Sequence, residues 1–122
     1  MTPSPSPLPV PAPRARMQSF AEFWPYYLGE HAKRSTRALH YVGTTGVFFW
    51  LATAAIAQRP GVIVYAPISA YGCAWLAHFL IEKNRPATFK HPLWSLVGDF
   101  RMYFLALSGR LGPHLDAAGV QR

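Results

Sequence analysis

The sequence predicts an all-α fold: a small helical integral membrane protein built on a transmembrane helical hairpin with flanking interfacial helices. Three observations carry this. Residues 39–57 and 62–81 are apolar runs without an acidic or basic side chain apart from one histidine each. Each run is close to the ~20 residues that cross ~30 Å of hydrocarbon as a helix. A short Gln58-Arg59-Pro60-Gly61 turn joins them, so they form an antiparallel pair. Basic residues crowd the outer ends, with Lys33, Arg34 and Arg37 before the first run and Lys83, Arg85 and Lys90 after the second, while only Arg59 lies in the turn. That is the positive-inside pattern, which places both termini in the cytoplasm, at a bacterial inner membrane or at the endoplasmic reticulum of a eukaryote.

Residues 1–16 hold six prolines, at every second position from Pro3 to Pro13. No apolar core can form there, so a polyproline-like disordered tail is expected. It lacks the apolar stretch of a signal peptide. Residues 17–109 form the membrane-embedded domain. Ser19 with Glu22 has capping-box spacing and starts a short helix through Phe20, Phe23, Tyr27 and Leu28, whose aromatic crowding suits a membrane interface. Ser35 or Thr36 is expected to cap the first long helix, which runs to about Ala57. The second runs from Val62 to Lys83, bent or loosened by Pro67 and Gly72, and Asn84-Arg85-Pro86 stops it. Residues 86–91 form a loop. Pro92 suits the first turn of a further helix ending near Gly109. On it Leu93, Leu96, Phe100 and Leu107 recur at helical spacing, with Asp99 and Arg101 interrupting any simple span, so it is interfacial or packed on the hairpin. Residues 110–122 read as a frayed C-terminal tail.

The net charge is +7. A chain this basic can be a nucleic-acid binder, but its charges sit where they orient the hairpin and attract anionic headgroups, so no nucleic acid is expected as a partner. Cys73 is the only cysteine, which excludes an intrachain disulfide framework and reads as a small core residue.

The histidines carry the chemistry. His40 opens the first run and His78 closes the second, so the hairpin sets them at one depth, with His31 and His91 in the flanks just outside. Ionisable groups at that depth are costly unless they pair or coordinate. Neutral imidazoles in such number suit iron, zinc, copper or nickel. The nearby carboxylates are Glu30, Glu82 and Asp99. Glu82 shares a helix face with His78 and is a candidate to orient a ligand or to bind directly. Arg85 and Lys90 serve either as positive-inside anchors or as binders of a substrate carboxylate, which Arg85 grips bidentately. His114, in the tail, reads as merely solvated. Two rival classes remain open: a bis-histidine haem electron carrier, and a non-enzymatic scaffold or transporter with structural histidines.

Several strings then carry a resemblance: residues 23–31 (FWPYYLGEH), 39–44 (LHYVGT), 74–79 (AWLAHF), 82–92 (EKNRPATFKHP), 93–96 (LWSL) and 98–102 (GDFRM). Over roughly residues 19–105 the chain resembles a family of small membrane proteins whose characterised members are iron(II)-dependent 2-hydroxy fatty acid dioxygenases of lipid α-oxidation. The resemblance implies His31, His40, His78 and His91 as the metal set, Fe(2+) as the cofactor, and dioxygen and a fatty-acyl substrate in the bilayer as partners. The expected reaction shortens a 2-hydroxy fatty acid by one carbon with release of carbon dioxide. Arg85 and Lys90 are then the carboxylate binders, and Glu82, Asp99 and Arg85 the candidate catalytic groups.

Overall fold

In a computed structural model the chain is described over residues 17–122, so the proline-rich segment 1–16 lies outside the described residues. Their regular structure is all helical, without a strand. The helices are α1 (Phe20–Gly29), α2 (Arg34–Ile56), α3 (Tyr65–Leu76), α4 (Pro92–Leu107) and α5 (Leu111–Ala117).

Helix α1 starts as its sequence directs. The Ser19 hydroxyl accepts the Glu22 N–H at 3.2 Å, and the Glu22 carboxylate reaches back to the Gln18 N–H at 2.9 Å. The start of α2 differs from expectation. Its cap residue is Lys33, which makes no side-chain capping bond, and neither Ser35 nor Thr36 caps it. The carboxylate of Glu82, from the far end of the hairpin, accepts the Lys33 N–H at 2.8 Å and the Thr36 hydroxyl instead. An anion placed there satisfies an orphan donor and meets the positive end of the helix dipole.

The second run is not one uniform α-helix. It begins as a 3-10 turn (Pro60–Val64), continues as α3, and widens into a π-helical turn over Ala77–Glu82. Pro67 falls in the first turn of α3, where no backbone donor is required, so the proline expected to bend the helix sits where it is tolerated. The wide turn ends at Lys83 in the left-handed conformation (φ 58°), and the Asn84 N–H closes onto the His78 carbonyl at 3.0 Å. Such wide turns commonly mark functional positions.

Two kinds of packing coexist. Phe23, Trp24, Tyr27, Leu28, Met102, Leu111, Leu115 and Val120 form a buried core where α1, α4 and α5 meet. Residues 110–122 are therefore not a frayed tail: α5 supplies Leu111 and Leu115, and the chain beyond it supplies Val120. The hairpin faces outward instead. Phe49, Ile56, Ile68 and Leu80 lie exposed on it. The segments Arg34–Ile56 and Pro60–Glu82 are long and apolar enough to cross a membrane, with only 22% of each apolar window buried inside the chain.

The two arms of the hairpin touch through small residues. A Cβ at Gly43 would stand 2.9 Å from both the Ser69 carbonyl oxygen and the Cys73 Cβ, closer than real side chains approach. Gly43 follows His40 by one turn, so this contact sets the spacing of the histidine-bearing arms. Gly43→Leu is expected to destabilise the protein by about 1–3 kcal/mol through overpacking. Gly72→Ala, whose Cβ meets nothing within 4 Å, is expected to be neutral or stabilising because alanine is the better helix former. Thermal unfolding in detergent compares them; equal melting temperatures for the two variants would refute the close-packed seam.

Candidate metal centre

Three imidazoles converge where α1, α2 and the wide turn meet. His31 follows α1, His40 lies on the first turns of α2, and His78 opens the π-helical turn. All are buried: 1% exposed for His31, 4% for His40 and 2% for His78. The His31 Nε2 lies 3.0 Å from the His40 Nε2 and 3.1 Å from the His78 Nε2.

The other ring nitrogens determine where the protons are. The His31 Nδ1 faces the Tyr27 carbonyl at 2.6 Å, and the His40 Nδ1 faces the Thr36 carbonyl at 2.9 Å. The His78 Nδ1 faces the Asn84 side-chain oxygen at 2.7 Å. That oxygen is identified by the amide's other end, whose nitrogen donates to the Glu30 carbonyl and carboxylate. Every Nδ1 thus meets an acceptor and carries the proton. A neutral imidazole protonated at Nδ1 has a bare lone pair at Nε2. Three bare lone pairs therefore point at one another in a dry site with no proton to share. A doubly protonated His31 would relieve this, but burial above all, then His40 and His78, holds its pKa well below the usual histidine value.

A bound cation resolves the arrangement. Metal–imidazole bonds of about 2.0–2.1 Å put two ligand nitrogens at most about 4.2 Å apart, and the two closest pairs lie well inside that. Each ligand already has the outer hydrogen bond that fixes tautomer and ring orientation. The residues present fit a metal ion held by three neutral histidines, a donor set common to iron, zinc, copper and nickel.

His91 is not in this group. As the cap of α4, before Pro92, it is carried onto the aromatic core. Its ring stacks on Trp94 with centroids 5.1 Å apart and meets Phe23 at 5.3 Å. The structure thus gathers three of the four histidines expected to converge. Glu82 contacts none of the rings directly; it holds Thr36, whose carbonyl holds His40. Asp99 accepts the Tyr27 hydroxyl, and the Tyr27 ring lies on His31 with centroids 4.1 Å apart. Burial pushes the Asp99 carboxyl up to about 7, against the opposing effect of that hydrogen bond. Arg85 and Lys90 are exposed. With Tyr26, Glu30, Asn84 and Phe89 they line a pocket of about 190 Å³, in which the Arg85 guanidinium sits 5.2 Å from the Phe89 ring centre. His114 is half-buried rather than solvated, and its Nδ1 accepts the Trp24 indole N–H at 3.1 Å.

Two contributors were hidden in the sequence. Asn84 reads there only as a helix stop, yet it orients His78. Arg37 reads as an anchoring charge, yet it is buried and donates to the carbonyls of His31 at 2.8 Å and Ala32 at 2.9 Å, holding the loop that carries the first ligand.

No curated protein and no solved structure matches the chain. Residues 17–111 match the Mpo1-like family, described as 2-hydroxy-palmitic acid dioxygenase Mpo1-like, and the chain belongs to that family.

Proposed function

We propose that this protein is a membrane-embedded, iron(II)-dependent dioxygenase that converts a 2-hydroxy fatty acid and dioxygen into the fatty acid one carbon shorter, carbon dioxide and water. One observation carries the reading: three buried Nε2 lone pairs face one another, each ring locked by an outer hydrogen bond. When bound, a ferrous ion with open positions supplies the means to take up dioxygen beside the hydroxyl and carboxylate of the substrate. The family's description supplies the substrate class. A bis-histidine haem fits poorly, because contacts of 3.0 and 3.1 Å leave no room for a porphyrin between opposed ligands.

The chain's residues have defined tasks in this proposal. His31, His40 and His78 hold the metal. Asn84, Thr36 and the Tyr27 carbonyl fix the ring orientations, and Glu82 secures Thr36. The exposed cations Arg85 and Lys90, in the pocket that Asn84 also lines, receive the carboxylate. The apolar hairpin lies in the bilayer, and the basic flanks at its open end hold that end, with both termini, on the cytoplasmic side. The acyl tail then stays in an apolar medium while the polar head reaches the histidines.

Anaerobic reconstitution with iron(II), followed by assay of a 2-hydroxy fatty acid for carbon dioxide release, tests the reading. His31→Ala, His40→Ala and His78→Ala are expected to lose stoichiometric iron and activity together while remaining membrane-inserted. Asn84→Ala is expected to weaken iron affinity by about 10–100-fold, the usual cost of removing an outer partner. His91→Ala is expected to retain iron. Full activity in His40→Ala would overturn the site.

Topology is checked by labelling introduced cysteines. One near Gln58 is expected to react from the side opposite to one near Lys90. Reaction of both from one side would remove the hairpin from the membrane.

Arg85→Lys keeps the charge but loses the planar two-point grip. A charge-assisted hydrogen bond of this kind corresponds to on the order of tenfold in affinity. The expected result is a kcat/KM reduced about tenfold with iron content unchanged. Wild-type kinetics in both Arg85→Lys and Arg85→Ala would reduce the residue to an anchor.

A further inference from the structure

Beyond the metal ligands, α2, α3 and α4 line a second cavity, partly open to the outside, of about 240 Å³. Thr44, Val47, Ala66, Ala70, Tyr71 and Phe100 are among its walls, which are almost wholly apolar. Asp99 is the only carboxyl on them, and that group already accepts the Tyr27 hydroxyl. The interior thus offers hydrocarbon contact and little else, which favours an apolar ligand.

The cavity's position relative to the histidines is set by helix geometry. Thr44 lies one turn beyond His40 on α2, about 6 Å along the axis at 1.5 Å per residue, and Val47 lies one turn further. On the antiparallel arm, Tyr71 and Ala66 lie two and more than three turns from His78, in the same direction. The cavity therefore begins just past the histidine cluster and runs along the hairpin toward the Gln58 turn. Arg85 and Lys90 lie on the other side of the cluster. Tyr27 joins cavity and cluster physically, with its hydroxyl on Asp99 and its ring on His31.

We propose that this cavity receives the acyl chain of the substrate, and that Ala66 and Tyr71, in its walls along α3, set the chain length accepted. The inference rests on the proposed 2-hydroxy acid chemistry, which fixes the head of the molecule at the histidines. A carboxylate held between the cluster and Arg85 directs the tail along the hairpin, where the apolar cavity stands. Each methylene that enters it from the surrounding apolar medium gains van der Waals contact with the cavity walls, so kcat/KM climbs with chain length until the cavity is full and then levels off.

The experiment uses the full chain, reconstituted with iron(II), and a series of 2-hydroxy acids from octanoate to stearate. Ala66→Phe fills the distal end. It is expected to lower kcat/KM tenfold or more for the longest acids and to leave the shortest unchanged, with iron content intact. Tyr71→Ala enlarges the cavity and is expected to shift the optimum to longer chains, which covers the case in which Ala66→Phe fails to fold. A 2-hydroxy acid with a mid-chain diazirine gives a readout independent of turnover. Its label is expected on Ala70 and Phe100, displaced by unlabelled acid. Length profiles identical to wild type in both variants, or label spread over the outward-facing Phe49, Ile68 and Leu80, would overturn the cavity assignment. Displaceable label in the cavity without turnover of any 2-hydroxy acid would uphold the cavity and overturn the proposed reaction.

Discussion

Three imidazole nitrogens without protons, that of His31 about 3 Å from each of the other two in a buried site, are the constraint around which the rest of this small protein is arranged. Left alone, such lone pairs repel, and the rings would turn away or take up protons. Each ring is prevented from doing so by a different part of the fold. The last turn of α1 offers the Tyr27 carbonyl to His31, the first turn of α2 offers the Thr36 carbonyl to His40, and the chain leaving the wide turn offers Asn84 to His78. The metal-ready state is thus built into the backbone path at His31 and His40, and rests on the Asn84 side chain at His78.

The elements that supply these locks are bound to one another by polar contacts that a simple helix bundle would lack. Glu82 bonds the start of α2 to the end of the opposite arm, through the Lys33 N–H and the Thr36 hydroxyl. Arg37 reaches back from α2 to the carbonyls of His31 and Ala32, and at 3.4 Å to that of Gln121 near the C-terminus. A buried guanidinium requires such acceptors, and here they belong to the ligand-bearing loop and to the segment following α5. The apolar core of α1, α4 and α5 then supports the cluster from one side while the outward-facing hairpin extends from the other. Rigidity where the histidines sit and apolar surface along the hairpin are thereby separated within about one hundred residues.

That separation suits the proposed chemistry. A 2-hydroxy fatty acid has a polar, chelating head and an insoluble tail, and an enzyme acting on it has to serve both media at once. The basic loop of Arg85 and Lys90, the histidine cluster and the apolar cavity follow one another along the hairpin axis, so the polarity of the site changes in the same order as the polarity of the substrate.

Helices α1 to α4, the hairpin and the family are legible in the sequence because each is written in local or periodic signals: two uncharged runs, a Pro-Gly turn, a capping box at Ser19, and the Glu82–Pro92 string. It also marked His40 and His78, since an antiparallel pair of arms brings residues at the start of one beside residues at the end of the other, and it set His31 and His91 alike in the flanks. What it could not specify was how those groups meet. Period-3.6 reasoning treats 62–83 as one regular helix; the π-helical turn that points His78 inward depends on the left-handed Lys83 and on Asn84 closing against Glu30, contacts made across the fold. His91 has the same residue type and the same flanking position as His31, and only the packing of the start of α4, with its Trp94, against Phe23 of α1 sends it into the core instead of the cluster. Residues 110–122 lack an apolar stripe long enough to announce a helix, yet Leu111, Leu115 and Val120 become core once Trp24 and Met102 are there to cover them. Local sequence sets which segments are helical and apolar, whereas the choice among chemically equivalent side chains is made by non-local contacts, and these exist only once the chain has packed.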